Sequence, residues 1–423
     1  MSPGHRRGRS LYRIGRALRT LLLNGVARPL SGLWPRRARW WAFGHQGGTF
    51  AGNSKFLFLW VVRNRPDIRA VWITGSIDTR DILRAHGLPV YLRWSPPGMW
   101  YALRAKVYLF CHSTEDVNLP LSRGALLVNL WHGVGLKAVH LGDPNSLHSK
   151  YGRGSHSWLV RVMHLAHRLR PDVLVTTSAF TRDHFSAQLE LPPEHCPSLG
   201  YPRLDARQDA DLAKDARALE PLGLARLKPD GIDEIYAYLP TFRDTGRDFL
   251  RRALPDLPAL DAVLLERNAL LYLKLHRHTA DRLPALGERI LMWPAAADFY
   301  AHLDELSGLI TDYSSVYYDY IHGLSTGAIL YAFDEDEYTV SDRSLLYSYR
   351  NNTVGARAAT FDDLLRILRN GEAFIQQVGL AEIRSKFWGD ASGTACARVT
   401  RYLERRLALK VSNCDVTRLS SSS

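Results

Sequence analysis

The sequence predicts an α/β protein made of two doubly wound parallel-sheet halves that face one another across a cleft. Three observations carry this prediction. A chain of 423 residues is longer than one compact core organises. From about residue 40, short apolar runs alternate with amphipathic stretches, the pattern of parallel sheets covered by helices. The alternation breaks once, at the charged, Ala- and Leu-rich stretch Arg207–Asp230, which carries no strand signal. Hydrophobic residues make up 46% and charged residues 23%, which excludes a disordered or collagen-like chain.

The chain opens with a basic head. Residues 1–50 hold ten Arg and no Lys, Asp or Glu, so +10 of the net +13 sits there. That split disfavours a body that coats nucleic acid. On a helical wheel Leu11, Ile14, Leu18, Leu21 and Leu22 share one arc, with Arg13, Arg16 and Arg19 opposite. Trp34, Trp40 and Trp41 follow, interleaved with Arg36, Arg37 and Arg39, a mixture suited to an anionic headgroup layer. Residues 1–39 are therefore expected to form a basic amphipathic segment lying on the cytoplasmic face of the membrane. Gly15 and Gly25 weaken the helix, and a disordered tail or a helix packed on the body stay open as alternatives. A signal peptide is disfavoured because Arg interrupts every apolar run. The longest such run, Phe56–Val62, falls far short of the about 20 residues that span a bilayer.

Residues 40–206 form the expected first half, with strands at Ala70–Thr74, Val90–Leu92, Val107–Cys111, Leu126–Leu130 and Val173–Thr177. Helices are expected at Asp81–Ala85 and Thr181–Leu189. Residues 207–230 read as a linker containing a helix. Residues 231–410 form the second half, with strands at Ile235–Leu239, Leu270–Leu275, Ile290–Met292, Leu309–Thr311 and Ile329–Ala332. Helices are expected at Ala297–Leu306 and Val316–His322, with a closing helix at Arg398–Leu409 and a disordered tail over 411–423. Cys111, Cys196, Cys396 and Cys414 show no C-x-x-C spacing, which points to a reducing compartment without a zinc knuckle.

Chemistry concentrates just after predicted strands, where such folds bind ligands. His132 lies among Gly133, Gly135 and Lys137, and an imidazole there suits proton transfer near neutrality. Arg243, after Thr241, offers a planar cation for phosphate oxygens, with a structural ion pair as the plainer reading. Lys274, His276 and His278 alternate onto one face of a strand end, poor core material and a natural anion site. Asp312, Ser314 and Ser315 stand at a strand-to-helix junction, where unpaired N–H groups and hydroxyls can cradle phosphate. Walker A, Gly-x-Gly-x-x-Gly and H-E-x-x-H patterns are absent. Asp304 with Glu305, and Asp334 to Glu337, read as carboxylates on solvated turns, so neither a metal nor a cofactor is expected.

These segments, in this order, resemble the CDP-glycerol glycerophosphotransferase family of teichoic acid polymerases and primases, which have a GT-B fold of two Rossmann-like domains. The likeness runs over Gly44–Leu403 through GHQGGTFAGNSKFLF, NLWHGVGLKAV, LGYPRLD, YLPTFRD, LKLHRH, LITDYSSVYYDY and ILYAFDEDEY. Val134 and Gly135 stand where the family usually has Thr-Pro, and Arg277 follows His276 where Pro is frequent. The resemblance implies His132 as catalytic base with His276 as a second catalytic candidate. It implies Arg243, Thr241, Lys274, Ser314, Ser315 and Asp312 around the donor phosphates, and Gly133, Lys137 and Asn53 on the acceptor side. The implied reaction moves an alditol phosphate, glycerol phosphate first, from a CDP-alditol to a hydroxyl of a lipid-linked polymer acceptor, releasing CMP. A GT-B glycosyltransferase acting on a nucleotide sugar, and a non-catalytic membrane partner that keeps the fold, are the alternatives.

Overall fold

Two six-stranded sheets organise the computed structural model, which describes residues 14–135, 138–144, 146–152, 154, 156–220, 227–241, 243, 249–275, 286–294, 297–323, 328–341, 345–371, 378–389 and 394–419. The first sheet contains β1 (Arg37–Phe43), β2 (Arg69–Thr74), β3 (Val90–Leu92), β4 (Ala105–Phe110), β5 (Leu126–Asn129) and β6 (Val173–Leu174). The second contains β7 (Glu234–Leu239), β8 (Ala269–Leu273), β9 (Ile290–Met292), β10 (Gly308–Thr311), β11 (Ala328–Tyr331) and β12 (Ala356–Ala358). The strands pair in parallel throughout, in the orders β3-β2-β1-β4-β5-β6 and β12-β11-β10-β7-β8-β9. Counted from its own first strand, each half has the same doubly wound order, read from opposite edges. Each half therefore has one topological switch point, between β1 and β4 and between β7 and β10. Strands such as β5 and β8 are buried along their whole length, as parallel strands covered on both faces must be.

Two strands escape the sequence pattern. In β1, Arg37 and Arg39 are exposed at the outer end and only Trp41, Ala42 and Phe43 are buried, so its apolar signal is three residues long. The strand β12 is itself only three residues, with an exposed Arg357 in the middle. The placement of β1 corrects the reading of the head. Trp41 is 1% exposed in the core, and Trp40 packs on Tyr101 with ring centroids 5.3 Å apart. The Arg36 guanidinium donates to the carbonyls of Ala102, Ala105, Leu121 and Arg123. These residues anchor the first sheet, so the part of the head available to a membrane ends before them.

Upstream, residues 14–31 are helical, passing through a π-turn at Leu23–Ala27. Ile14, Leu18, Leu22, Val26 and Leu30, each four residues on from the last, are all exposed and form one apolar stripe. The helix is moored on the body side, where Asn24 Nδ2 donates to the Val162 carbonyl. Among the described residues no helix is long and apolar enough to cross a membrane.

The linker helix is present at Ala210–Ala218. The expected helix over Ala297–Leu306 is instead two 3₁₀ turns, Phe299–Ala301 and Leu303–Glu305, because Asp298 turns inward to Lys55 and Glu305 accepts from the Leu227 amide. The closing helix runs from Ala395 to Leu419, through residues read as tail, over a span free of Gly and Pro. It returns to the first half: Asp205 accepts from the amides of Ala395 and Cys396 at 2.8 and 2.7 Å, and Glu404 pairs with Arg65.

Candidate active site

The first switch point gathers three imidazoles. His45 follows β1, His112 follows β4 and His132 follows β5 on the neighbouring strand. His112 stacks on His132 with centroids 4.5 Å apart and planes 11° from parallel, and His45 meets His112 edge-on at 5.1 Å. His132 Nδ1 lies 3.1 Å from the Cys111 carbonyl oxygen. A carbonyl can only accept, so Nδ1 carries the proton and Nε2 keeps its lone pair. The ring is crowded by protein, yet the residue keeps exposed surface. Crowding by protein, then His112 and Arg203, hold its pKa well below the usual histidine range. Because the exposed part remains wet, the direction of that shift matters more than its size: at neutral pH the ring is an unprotonated acceptor.

The loop bearing His132 is held under strain. Trp131 has φ +57°, a left-handed conformation rare for an aromatic residue, and it persists only because the surroundings fix it. Its amide donates to Asn129 Oδ1, and Asn53 Nδ2 donates to the carbonyls of Leu130 and Trp131. Asn53 is 0% exposed, so the residue expected on the acceptor side is a bracket for the loop of His132. Arg203, missed among the candidates, completes it: Nη1 donates to the His132 carbonyl at 3.0 Å, and Nη2 pairs with Asp319 in the second half at 2.5 Å. Tyr201 donates to the Gly133 carbonyl and Tyr300 to Asp319. The chain that positions the imidazole thus reaches across to the second domain.

The second switch point has different chemistry. Ser315 precedes the short helix Val316–Ile321 without capping it, and Ser314 Oγ accepts weakly from the Val316 amide at 3.4 Å. A Cβ placed on Gly133 would lie 2.7 Å from Ser315 Oγ, so the loop of His132 and this hydroxyl face each other directly. Thr241 Oγ1 is buried without a hydrogen-bond partner among the described residues. Lys274, one strand over, has no carboxylate partner among the described residues and lies 5.5 Å from the Trp293 ring centroid. Burial pushes its pKa down, while Asp298 and Glu220 act in the opposite sense.

Arg243 corrects the expectation of a phosphate contact. Its guanidinium is 2% exposed and spent on Asp334 through Nε and Nη2, on Asp312 through Nη2 and on the Thr241 carbonyl through Nη1. Asp312 also accepts from the Thr241 amide at 2.8 Å. The pair is a buried clamp joining the ends of β7 and β10 to Asp334, which is 9% exposed and no solvated turn residue. His276, Lys137 and His278 lie outside the described residues. The structure therefore brings the loop of His132 and Gly133 against Ser315, sets Thr241 and Lys274 just after the neighbouring strands β7 and β8, and gives Asn53, Asp312 and Arg243 supporting contacts. His45 and His112 were legible only as residues following strands, and β1 had not been read as one.

With this geometry in place, the comparisons identify the family. Residues 36–405 match CDP-Glycerol:Poly(glycerophosphate) glycerophosphotransferase. The chain belongs to that family. It is a transferase of the CDP-glycerol glycerophosphotransferase class. It is 24% identical over 389 residues to the teichoic acid poly(glycerol phosphate) polymerase of Bacillus spizizenii, covering 88% of this chain and 93% of that one. Against the polymerase of the same description from Staphylococcus epidermidis the identity is 22%, and the match spans 78% of this chain and 45% of the relative. The solved structure of the wall teichoic acid polymerase TagF aligns with a TM-score of 0.71 at 18% identity, covering 96% of this chain and 97% of that one. That likeness speaks for the GT-B-like fold. The family membership speaks for the transferase class.

Proposed function

We propose that the enzyme transfers glycerol phosphate from CDP-glycerol to the terminal hydroxyl of a lipid-linked polyol phosphate chain. The observation that carries this reading is His132, an exposed residue with Nδ1 given to the Cys111 carbonyl, on the loop whose Gly133 faces Ser315. The acceptor oxygen attacks the glycerol-bearing phosphorus, an O–P bond forms and the bond from that phosphorus to the CMP oxygen breaks. The hydroxyl proton passes to Nε2 of His132, and CMP leaves as the anion. Ser314, Ser315, Thr241 and Lys274 hold the donor phosphates and meet the charge that grows on them. The exposed stripe of Ile14, Leu18, Leu22, Val26 and Leu30, flanked by Arg16 and Arg19, rests on an anionic membrane surface and brings the cleft to its tethered acceptor.

One assay with two acceptors tests the reading. Radiolabelled CDP-glycerol, with nucleotide sugars as controls, is offered to the full chain and to a variant carrying Leu18→Ser, Leu22→Ser and Val26→Ser, three exposed residues of the stripe. Label should pass from CDP-glycerol alone. The variant should keep activity on a soluble acceptor and lose it on a vesicle-embedded one. Transfer from a nucleotide sugar instead would overturn the reaction; equal activity of both forms on vesicles would overturn the role of the head.

A further inference from the structure

A cavity opens beside the three imidazoles. It has a volume of about 560 Å³ and lies entirely in the first half, between the N-terminal helix and the loops that follow β1, β3 and β4. Its floor includes Gly47 and Gly48, consecutive residues in the left-handed region with φ +67° and +75°. A Cβ on Gly48 would lie 3.0 Å from the amide nitrogens of Gly75 and Ser76, and one on Gly47 would project into open space. The glycines thus keep the floor low and free of side chains.

Two arginines wall the cavity, and neither has a carboxylate partner among the described residues. Arg93 donates from Nη2 to the Asp116 carbonyl at 3.0 Å, while its Nε is buried without a hydrogen-bond partner. Burial works against its charge. Arg19 reaches down from the N-terminal helix over the Trp94 ring, 5.8 Å from its centroid. Asp116 and Glu115, which also line the cavity, favour the charge on Arg93, but burial outweighs them. Asp116 is spent on the amides of Cys111 and His112, and Glu115 is exposed to solvent. An under-compensated pair of guanidinium groups over a bare backbone floor fits a phosphodiester, with Asn24, Gln46 and Ser113 suited to hydroxyls of the polyol between phosphates.

The position of the cavity selects which phosphodiester. His112 forms one wall and stacks directly on His132, so the cavity begins one imidazole thickness from the base. The donor-side groups Ser314, Ser315, Thr241 and Lys274 all belong to the other half. Arg19, Thr20, Leu23 and Asn24 line the cavity from the helix that carries the exposed apolar stripe. A chain tethered in a membrane beneath that stripe would enter there and end at His132.

We propose that this cavity is the acceptor subsite, in which Arg93 and Arg19 hold the glycerophosphodiester nearest the attacking hydroxyl. The proposal rests on the transfer reading above, and binding without turnover separates the two. The probe is a synthetic, soluble glycerol phosphate trimer titrated onto the full chain in buffer without lipid. Arg93→Gln and Arg19→Ser should each weaken trimer binding about tenfold or more, the scale of a lost charge-assisted hydrogen bond. Arg93→Lys should recover most of the loss, and CDP-glycerol affinity should stay within twofold throughout. Arg19 is exposed, so its replacement leaves the core packing untouched and guards against misfolding as the cause. Trimer affinity unchanged in both variants would overturn the proposal. So would loss of CDP-glycerol affinity in both, which would make the cavity a donor site. Binding to phosphatidylglycerol vesicles with none to the trimer would make it a lipid headgroup site and also overturn it. Failure of the wild type to bind CDP-glycerol would count against the transfer reading alone, since trimer binding still decides the cavity.

Discussion

The two halves share one strand order, yet their switch points carry different chemistry. The first collects His45, His112 and His132, groups that exchange protons. The second collects hydroxyls and a lysine, with a permanently charged arginine locked beneath them between Asp312 and Asp334. Topology decides where a ligand can sit, and the residues on the strand ends decide what it undergoes there. The same contrast separates the two arginines expected or found at the site. Arg203 links the His132 loop to Asp319 across the domains, whereas Arg243 links elements within its own sheet.

The sharpest way to break this contrast is to remove the base. His132→Ala should lower kcat by ~10² to 10⁴, the range for a lost general base, with CDP-glycerol affinity within a few fold of wild type. Turnover near wild type would return His132 to a structural role and leave the first switch point without its proposed chemistry.

A second substitution tests whether Arg243 supports or binds. Removing one member of a buried ion pair leaves its partners charged and unpaired, which costs about 3 to 5 kcal/mol. Arg243→Ala should therefore shift the urea unfolding midpoint strongly, and its loss of activity should track its loss of folded protein. A variant of full stability with weakened donor binding would show that the guanidinium turns to phosphate in the complex.

Much of this was legible in the sequence, and the misses have physical causes. Ten strands, the linker helix and the strand-end positions of His132, Thr241, Lys274, Ser314 and Ser315 follow from apolar runs and the turns after them. β1 was hidden because a parallel strand that starts at a sheet surface can begin with Arg37 and Arg39 and bury only its last three residues. That one omission also hid His45 and left Trp40 and Trp41 looking like a membrane belt. Asn53 was placed on the acceptor side, and Arg203 and Asp319 were missed, for another reason. Their roles depend on partners about 78, 71 and 116 positions away, and no local pattern records such pairings.

Titration offers a gentler test of the difference between the switch points. Burial, with His112 adding repulsion, lowers the His45 pKa from its ordinary 6.5 to about 4. The unfolded chain then binds a proton at a pH where the folded one does not. The stability from this group is complete above pH 6.5, declines as the pH falls, and stops declining below about 4. Each such proton contributes a slope of at most ~1.4 kcal/mol per pH unit, less here because the ring is half-open to solvent. His45→Gln should flatten the dependence of the urea midpoint on pH between 6 and 4.5. Equal slopes in wild type and His45→Gln would mean that the first switch point holds its imidazoles no differently from solvent.

The smallest effect lies where the two halves meet. Ser315 Oγ caps nothing, so Ser315→Ala should leave stability almost unchanged. If the hydroxyl donates to a donor phosphate, its loss should weaken CDP-glycerol binding two- to tenfold, the scale of one neutral hydrogen bond of about 0.5 to 1.5 kcal/mol. Gly133→Ala offers an independent route to the same atom. The new Cβ would stand 2.7 Å from Ser315 Oγ, and the cheapest relief is rotation of the serine about χ1, which turns the hydroxyl away. Both single variants then lose one and the same hydrogen bond, and the double variant Gly133→Ala/Ser315→Ala should bind donor no worse than either. Losses that add in the double variant would show that Gly133 and Ser315 act independently, and that the close approach of the two switch points is packing rather than chemistry.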